Sequence, residues 1–217
     1  LDKLTVLDSS SRAVRLTEQA NGTYTFVMPA SDATVEAVFQ IRLAFTDLPS
    51  GSYYEDAVLW AVGEGITMGI SAQAFAPDGS CTRAQAVTFL WRAAGSPAPV
   101  SAKTRFADVA ASSYYSDAVL WAVENGITNG TSDTTFSPDA VCTRAQIVAF
   151  LWRAKGRPAA GSGTRFADVA ETAYYADAVL WAVKEGVTLG TSANAFSPDE
   201  TCTRAQIVTF LWRTLAK

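Results

Sequence analysis

Histidine is absent from this chain of 217 residues. The missing side chain is the one that titrates nearest neutral pH, so the usual general base and the commonest metal ligand are both lacking. Cysteine occurs only three times, at Cys81, Cys142 and Cys202. An odd count does not pair into a disulfide framework, and widely spaced single cysteines do not make a local zinc site. Three thiols meeting at one point could hold a metal. Without histidine beside them, the expectation is three buried thiols, no metal and no cofactor. No apolar run approaches the roughly 18 residues that span a bilayer, so no membrane insertion is expected. Seventeen basic against twenty-one acidic residues leave a net charge of −4, with no cationic excess for phosphate backbones, so nucleic acid is not an expected partner. Hydrophobic residues make up 49% of the chain, which excludes a disordered segment. The chain opens at Leu1 inside what reads as a strand. It is expected to be a piece of a longer protein, and the lack of a signal peptide then says nothing about location.

What is present is repetition. Phe45-Thr46-Asp47 returns as Phe106-Ala107-Asp108 and Phe166-Ala167-Asp168. Ala57 to Val62 returns as Ala118 to Val123 and Ala178 to Val183, and Cys81 to Gln85 as Cys142 to Gln146 and Cys202 to Gln206. Such regularity marks an array of one supersecondary unit whose copies stack on one another. Any site then exists in about three versions, which favours multivalent binding over catalysis. The copies are placed at 43–95, 104–156 and 164–217.

Residues 1–42 differ. Leu4 to Leu7, Tyr24 to Met28 and Thr34 to Phe39 read as short strands, with a turn at Asn21-Gly22, giving a small β-rich module of about four strands. The stretches Gly22 to Ala30 and Asp32 to Phe39 resemble the end of β repeats that serve as spacers in large bacterial surface proteins.

Each long copy reads as helix–loop–helix. Ala57, Val58, Ala61 and Val62 share one face of a first helix expected from about Tyr53 to Glu64. Gly65, Gly126 and Gly186 suit the left-handed position that ends it. The second helix opens with a capping box: Thr82, Thr143 or Thr203 at the N-cap and Gln85, Gln146 or Gln206 three residues on. Inside each box stands an arginine, Arg83, Arg144 or Arg204, beside the positive end of the helix dipole, where a cation is disfavoured. Two readings follow. The guanidinium and the free helix amides form an anion site, or the arginine pairs with a carboxylate, drawn from Asp78, Asp139 and Asp199 or from Asp47, Asp108 and Asp168.

The six tryptophans all lie in the repeats, and their helical spacing suits packing more than sugar stacking. The pairs Tyr53-Tyr54, Tyr114-Tyr115 and Tyr174-Tyr175 open the first helices, and their hydroxyls suit a carbohydrate groove. The loop after the second glycine is polar in two copies, Thr131-Ser132 and Thr191-Ser192, and reads Ile70-Ser71 in the first.

Taken in order, Phe106-Ala-Asp108, Gly126-Ile127, Gly130, Phe136-Ser-Pro-Asp139 and Cys142-Thr-Arg-Ala-Gln146 resemble S-layer homology (SLH) domains, three times over. The resemblance implies a mainly α fold: a pseudo-threefold, monomeric trimer of prongs around a central three-helix bundle. It also implies an extracellular protein held non-covalently on the wall of Gram-positive bacteria. The ligand it implies is secondary cell-wall polysaccharide, through a pyruvate ketal on N-acetylmannosamine, with peptidoglycan as a further possible partner. By position, Arg83, Arg144 and Arg204 would hold the ketal carboxylate. Gly69, Gly130 and Gly190, with Ser71, Ser132, Ser192, Thr131 and Thr191, would bring the loop to the sugar. Asp47, Asp108 and Asp168 would orient the arginine or bind hydroxyls. Gln85, Gln146 and Gln206 replace the family's Glu, and Tyr54, Tyr115 and Tyr175 its Trp; both sets are counted with the binding residues. Copy one departs most, at Ile70, Ala76 and Gly79. Its groove is therefore expected to be weak, leaving the grooves that use Arg144 and Arg204 to carry the affinity. The competing expectation is a protein-binding or self-assembling surface-layer scaffold without carbohydrate recognition. An enzyme is not expected, since no nucleophile–base pair is visible.

Overall fold

The computed structural model describes residues 3–38, 45–163 and 166–216, which divide into two compact units, residues 1–42 and 43–217. In the first, strand β1 (Lys3–Asp8) pairs antiparallel with β4 (Ala33–Val38), in the register Lys3 to Val38 through Asp8 to Ala33. Strand β2 (Leu16–Glu18) pairs with β3 (Tyr24–Phe26). Gly22 lies at φ 77° in the turn between them, where the Asn21 side chain accepts from the Thr23 amide. Strand β3 stops at Phe26, short of the expected Met28, and Val27 is exposed just before Pro29. Phe39, the expected end of β4, lies outside the described residues.

The second unit carries six helices: α1 (Glu55–Gly63), α2 (Arg83–Ala93), α3 (Ser116–Glu124), α4 (Arg144–Ala154), α5 (Ala176–Lys184) and α6 (Arg204–Leu215). Helices α1, α3 and α5 begin two residues after the first tyrosine of each pair, because the tyrosine pair occupies the preceding turn. They end in Schellman motifs. At α1 the Ile66 amide reaches back to the Ala61 carbonyl and the Gly65 amide to that of Val62, with Gly65 at φ 69°. Helices α2, α4 and α6 start with complete capping boxes at Thr82, Thr143 and Thr203. Each box satisfies two otherwise orphaned amides, so loss of the hydroxyl costs about 1 kcal/mol.

The helices of one sequence repeat do not pair chiefly with each other. Helix α3 packs on α2, α5 on α4, and α1 closes the circle by packing on α6, while α2, α4 and α6 also meet one another. Each repeat thus lays its first helix on the second helix of the repeat before it, and the first repeat lays its own on the last. The same cyclic order runs through the backbone. Cys142 donates to Cys81, Cys202 to Cys142 and Cys81 to Cys202, at 2.8, 2.9 and 3.1 Å. Short bridges join Thr82 to Val141, Thr143 to Thr201 and Ser80 to Thr203. All three cysteines are free and fully buried, and no metal-competent cluster occurs among the described residues. Burial pushes the Cys81 and Cys142 thiols up to about 12, so the reactive thiolate is scarce. The native chain is therefore expected not to react with a thiol reagent such as DTNB at pH 8. The same chain in denaturant should titrate three thiols. Reaction in the native state would show that the ring opens readily.

Tryptophan follows the packing reading. Trp181 is 4% exposed, and Trp91 and Trp152 donate from Nε1 to the carbonyls of Pro97 and Pro158, just past their own helices.

Candidate ligand grooves

The cyclic packing decides which loop each helix-start arginine meets. Arg83 reaches out of repeat one and donates from Nε to the Phe136 carbonyl of repeat two, at 2.9 Å. Arg144 does the same to Phe196 in repeat three, at 2.9 Å, and Arg204 to Phe75 in repeat one, at 2.8 Å. Each guanidinium is buried between two rings: Arg83 over Phe136 and Phe150, Arg144 over Phe196 and Phe210, Arg204 over Phe75 and Phe89. Relative exposures of 3, 3 and 4% show how far from water these cations lie. Burial pulls all three below the ordinary arginine value, yet a guanidinium stays charged at neutral pH.

Among the described residues no carboxylate compensates that charge by contact. Asp78, Asp139 and Asp199 are exposed in the turn before the cap. Asp47, Asp108 and Asp168 are engaged elsewhere. The two oxygens of Asp108 accept from the Phe136 and Ser137 amides at 2.9 and 2.7 Å, and Asp47 and Asp168 make the same clamp on Phe75-Ala76 and Phe196-Ser197. The clamp holds Ala76, Ser137 and Ser197 at φ 56 to 58°, a left-handed conformation costly for any residue with a side chain. It also fixes the peptide whose carbonyl receives the arginine Nε, so the aspartate positions the arginine through one residue of backbone. The guanidinium is left short of partners. Arg83 Nη2 has one long contact, 3.5 Å to Thr128 Oγ1, and Nη2 of Arg144 and of Arg204 is buried with no partner at all. A buried donor without an acceptor costs about 1–3 kcal/mol, more when charged.

Two grooves open over these arginines. One, of about 330 Å³, is lined by Arg83 from repeat one, by Thr128 to Thr131, Gln146, Ala149, Phe150 and Arg153 from repeat two, and by Tyr174 from repeat three. The other, of about 370 Å³, takes Arg144 from repeat two, Thr188 to Thr191, Gln206, Thr209, Phe210 and Arg213 from repeat three, and Tyr53 from repeat one. Every groove therefore needs all three repeats. Both hold two arginines and, among the described lining residues, no carboxylate. In a chain of net charge −4 this is a concentrated positive field. Gln146 and Gln206 spend Oε1 on the capping box and keep their amide nitrogens as donors. Burial, its main influence, helps hold the Tyr174 hydroxyl above the ordinary tyrosine value, so it stays protonated and able to donate.

Several expected site residues stand apart from the grooves. Tyr174 and Tyr53, the first tyrosines of their pairs, line the two grooves, while Tyr54, Tyr115 and Tyr175 pack against the core. Ser71, Ser132 and Ser192 turn their hydroxyls to the amide two residues on. Thr131 and Thr191 are at the rim, each 2.7 Å from a serine hydroxyl, Ser137 or Ser197. Gly130 is needed for packing. At φ 85° a Cβ there would stand 2.5 Å from both the Phe106 ring and the Thr135 carbonyl. Gly130→Ala is expected to destabilise the chain by about 2 kcal/mol, read as a lower denaturation midpoint. An unchanged midpoint would mean that the Phe106 ring can move aside. Sequence reasoning missed Arg153 and Arg213, which also line the grooves; the signal was there in their recurrence, but it was absorbed by their favourable place at a helix C-terminus.

The pairing also corrects the expected ranking of grooves. The departures of copy one, Ile70, Ala76 and Gly79, do not surround Arg83. They surround Arg204, whose Nε meets Phe75 and whose amide donates to the Gly79 carbonyl. The grooves with polar loops are those of Arg83 and Arg144.

The family model for the S-layer homology domain matches this chain three times, at residues 44–87, 105–148 and 165–208. The chain belongs to that family. Its relatives include the Surface-layer 125 kDa protein of Lysinibacillus sphaericus, 32% identical over 167 residues, which are 75% of this chain and 14% of that protein. The S-layer protein of Bacillus thuringiensis subsp. finitimus is 26% identical over 200 residues, 89% of this chain and 24% of the relative. An Endoglucanase of Bacillus sp. (strain KSM-635) is 33% identical over 102 residues, 47% of this chain and 11% of the enzyme. The chain thus spans a quarter or less of these relatives, and a segment of this kind is shared by proteins of different names.

Proposed function

We propose that this chain is a non-catalytic anchor. It holds an exported protein to the outside of the bacterial cell wall by binding secondary cell-wall polysaccharide in the grooves between its repeats. The observation that carries this reading is the buried guanidinium whose Nη2 lacks a good partner, recurring in all three repeats and joined in two grooves by a second arginine, a glutamine amide and a tyrosine hydroxyl. A carboxylate supplies what that constellation lacks: two acceptor oxygens in one plane and one negative charge. A pyruvate ketal on N-acetylmannosamine brings such a carboxylate on a sugar whose remaining hydroxyl and acetamido group can meet Thr131, Tyr174 and Gln146. Several weak grooves on one rigid unit, facing a repeating polymer, gain affinity through effective concentration.

The test is co-sedimentation of the chain with cell-wall sacculi before and after acid extraction of the secondary polymer. Binding lost on extraction is the expected result; binding that survives points to peptidoglycan. A second reading, a self-assembling surface-layer scaffold, is favoured by the names of the relatives. It predicts concentration-dependent assembly in the absence of any wall material.

A further inference from the structure

Resting on that reading, we propose that the groove of Arg83 holds two acidic groups of the polymer at once. The first is the carboxylate at Arg83, and the second is a further acid, carboxylate or phosphate, at the more exposed pair Arg153 and Arg157. Phe150 is one of the two rings against the Arg83 guanidinium. Arg153 follows it by three residues on α4, about 4.5 Å farther along the same face. The second cation therefore stands about one turn from the first, and both line the groove. Arg153 donates from Nη1 to the Ile127 carbonyl at 3.0 Å, and Arg157 from Nη2 to the Gly126 carbonyl at 2.7 Å. Two guanidiniums thus converge on consecutive carbonyls, and among the described residues neither has a carboxylate partner. Burial pulls Arg153 below the ordinary arginine value, and the charge of Arg157 pulls it further. Like charges so placed repel, and an acid that reaches both relieves the repulsion.

Folding does not call for Arg157. Ser96 takes its place in repeat one with the same left-handed backbone, φ 53° against 55°. Gly65 ends α1 as Gly126 ends α3, with the Arg92 guanidinium on the Ile66 carbonyl and only that serine where Arg157 stands. One arginine is thus enough to meet the end of such a helix, and the second adds charge beside the groove. The C-terminal dipole of α3 opposes an anion there, but its charge of about −0.5 is smaller than the two full positive charges.

The experiment is a titration of the full chain, uniformly ¹⁵N-labelled, followed through the amides of Gly130, in the groove, and Gly126, beside Arg157. Three probes share one 4,6-pyruvyl ketal: a methyl hexoside with one acid, a carboxymethyl hexoside with two carboxylates, and a hexose 1-phosphate with a carboxylate and a phosphate. At low ionic strength either two-acid probe should move Gly130 at about fivefold lower concentration than the one-acid probe. Gly126 should move with the two-acid probes only, and the larger of their two gains names the second acid. Arg157→Gln should abolish the gain. Arg105 donates to the carbonyl of Asn129, a residue of the same groove, at 2.9 Å, so Arg105→Gln removes a nearby charge outside the subsite and should keep the gain. Equal affinity for one-acid and two-acid probes, a gain that survives Arg157→Gln, or a gain lost equally in Arg105→Gln overturns the proposal while leaving the anchoring function standing. A Gly130 amide that answers to none of the probes overturns both.

Discussion

Replacing Arg83 and Arg144 together by alanine should lower the affinity for the wall polymer at least about 100-fold while leaving the helices in place. In the proposed function each arginine pairs with one carboxylate of the polymer. Truncating one partner of a buried charge pair costs about 2–5 kcal/mol, or some 30- to 4000-fold per groove. The loss should exceed that of either single variant, because one intact groove still tethers the chain to a repeating polymer. The same change removes two buried cations whose Nη2 atoms lack good partners, so the usual penalty for deleting a buried side chain is partly offset. Stability should fall far less than binding does. Circular dichroism and a denaturation midpoint taken beside the binding isotherm separate the two. Wild-type affinity in the double variant would leave the boxes as helix caps and nothing more.

The second large effect concerns the aspartate clamp. Asp108→Ala should destabilise the helical unit by about 3 kcal/mol, from two lost charge-assisted bonds of roughly 1.5 kcal/mol each. Asp108→Asn, with a single acceptor oxygen, should recover about half. Both variants should also weaken binding at the groove of Arg83, whose Nε rests on the clamped peptide. The clamp carries a pH signature. Burial raises the Asp108 carboxyl, but the amides of Phe136 and Ser137, its own amide and the charge of Arg83 outweigh it, and the net shift is downward. Asp47 and Asp168 behave alike. A carboxyl whose folded value lies below its unfolded one, about 3.9, adds stability that is fully present above the unfolded value and is lost as pH falls through the folded one. Unfolding free energy should thus hold steady from neutrality to about pH 5 and drop below about pH 4. In Asp108→Ala that drop should be smaller by one clamp of three. A drop of unchanged size would assign the acid sensitivity to other groups.

Much of this architecture was legible because its determinants are local. A threonine and a glutamine three residues apart make a capping box wherever a helix begins, and a glycine after an apolar stripe ends one. The expectations of capped second helices and glycine-terminated first helices rest on nothing more distant than a turn. The partnership of Arg83 with the loop of repeat two spans 53 residues, and no local pattern encodes it. It follows from the first helix of each repeat lying on its predecessor, a choice made by tertiary packing. The same choice moved Ile70 and Ala76 from the neighbourhood of Arg83 to that of Arg204. The second tyrosine of each pair was counted with the binding residues because it stands where the family has Trp, whereas Tyr174 and Tyr53, the first of their pairs, line the two grooves. The resemblance implied that Asp108 orients the arginine or binds hydroxyls; that it acts through the backbone lay beyond sequence reading, because its partners are backbone amides, which every residue but proline carries.

The central claim is that the helix-start arginines read a carboxylate on the polymer. The most direct test is calorimetric titration of the chain with purified secondary polymer, before and after mild acid hydrolysis that removes ketal-linked pyruvate and leaves the sugar backbone intact. A fall in affinity of at least about 100-fold on depyruvylation is expected, comparable to the loss in Arg83→Ala/Arg144→Ala. Equal affinity for the two polymers would contradict it.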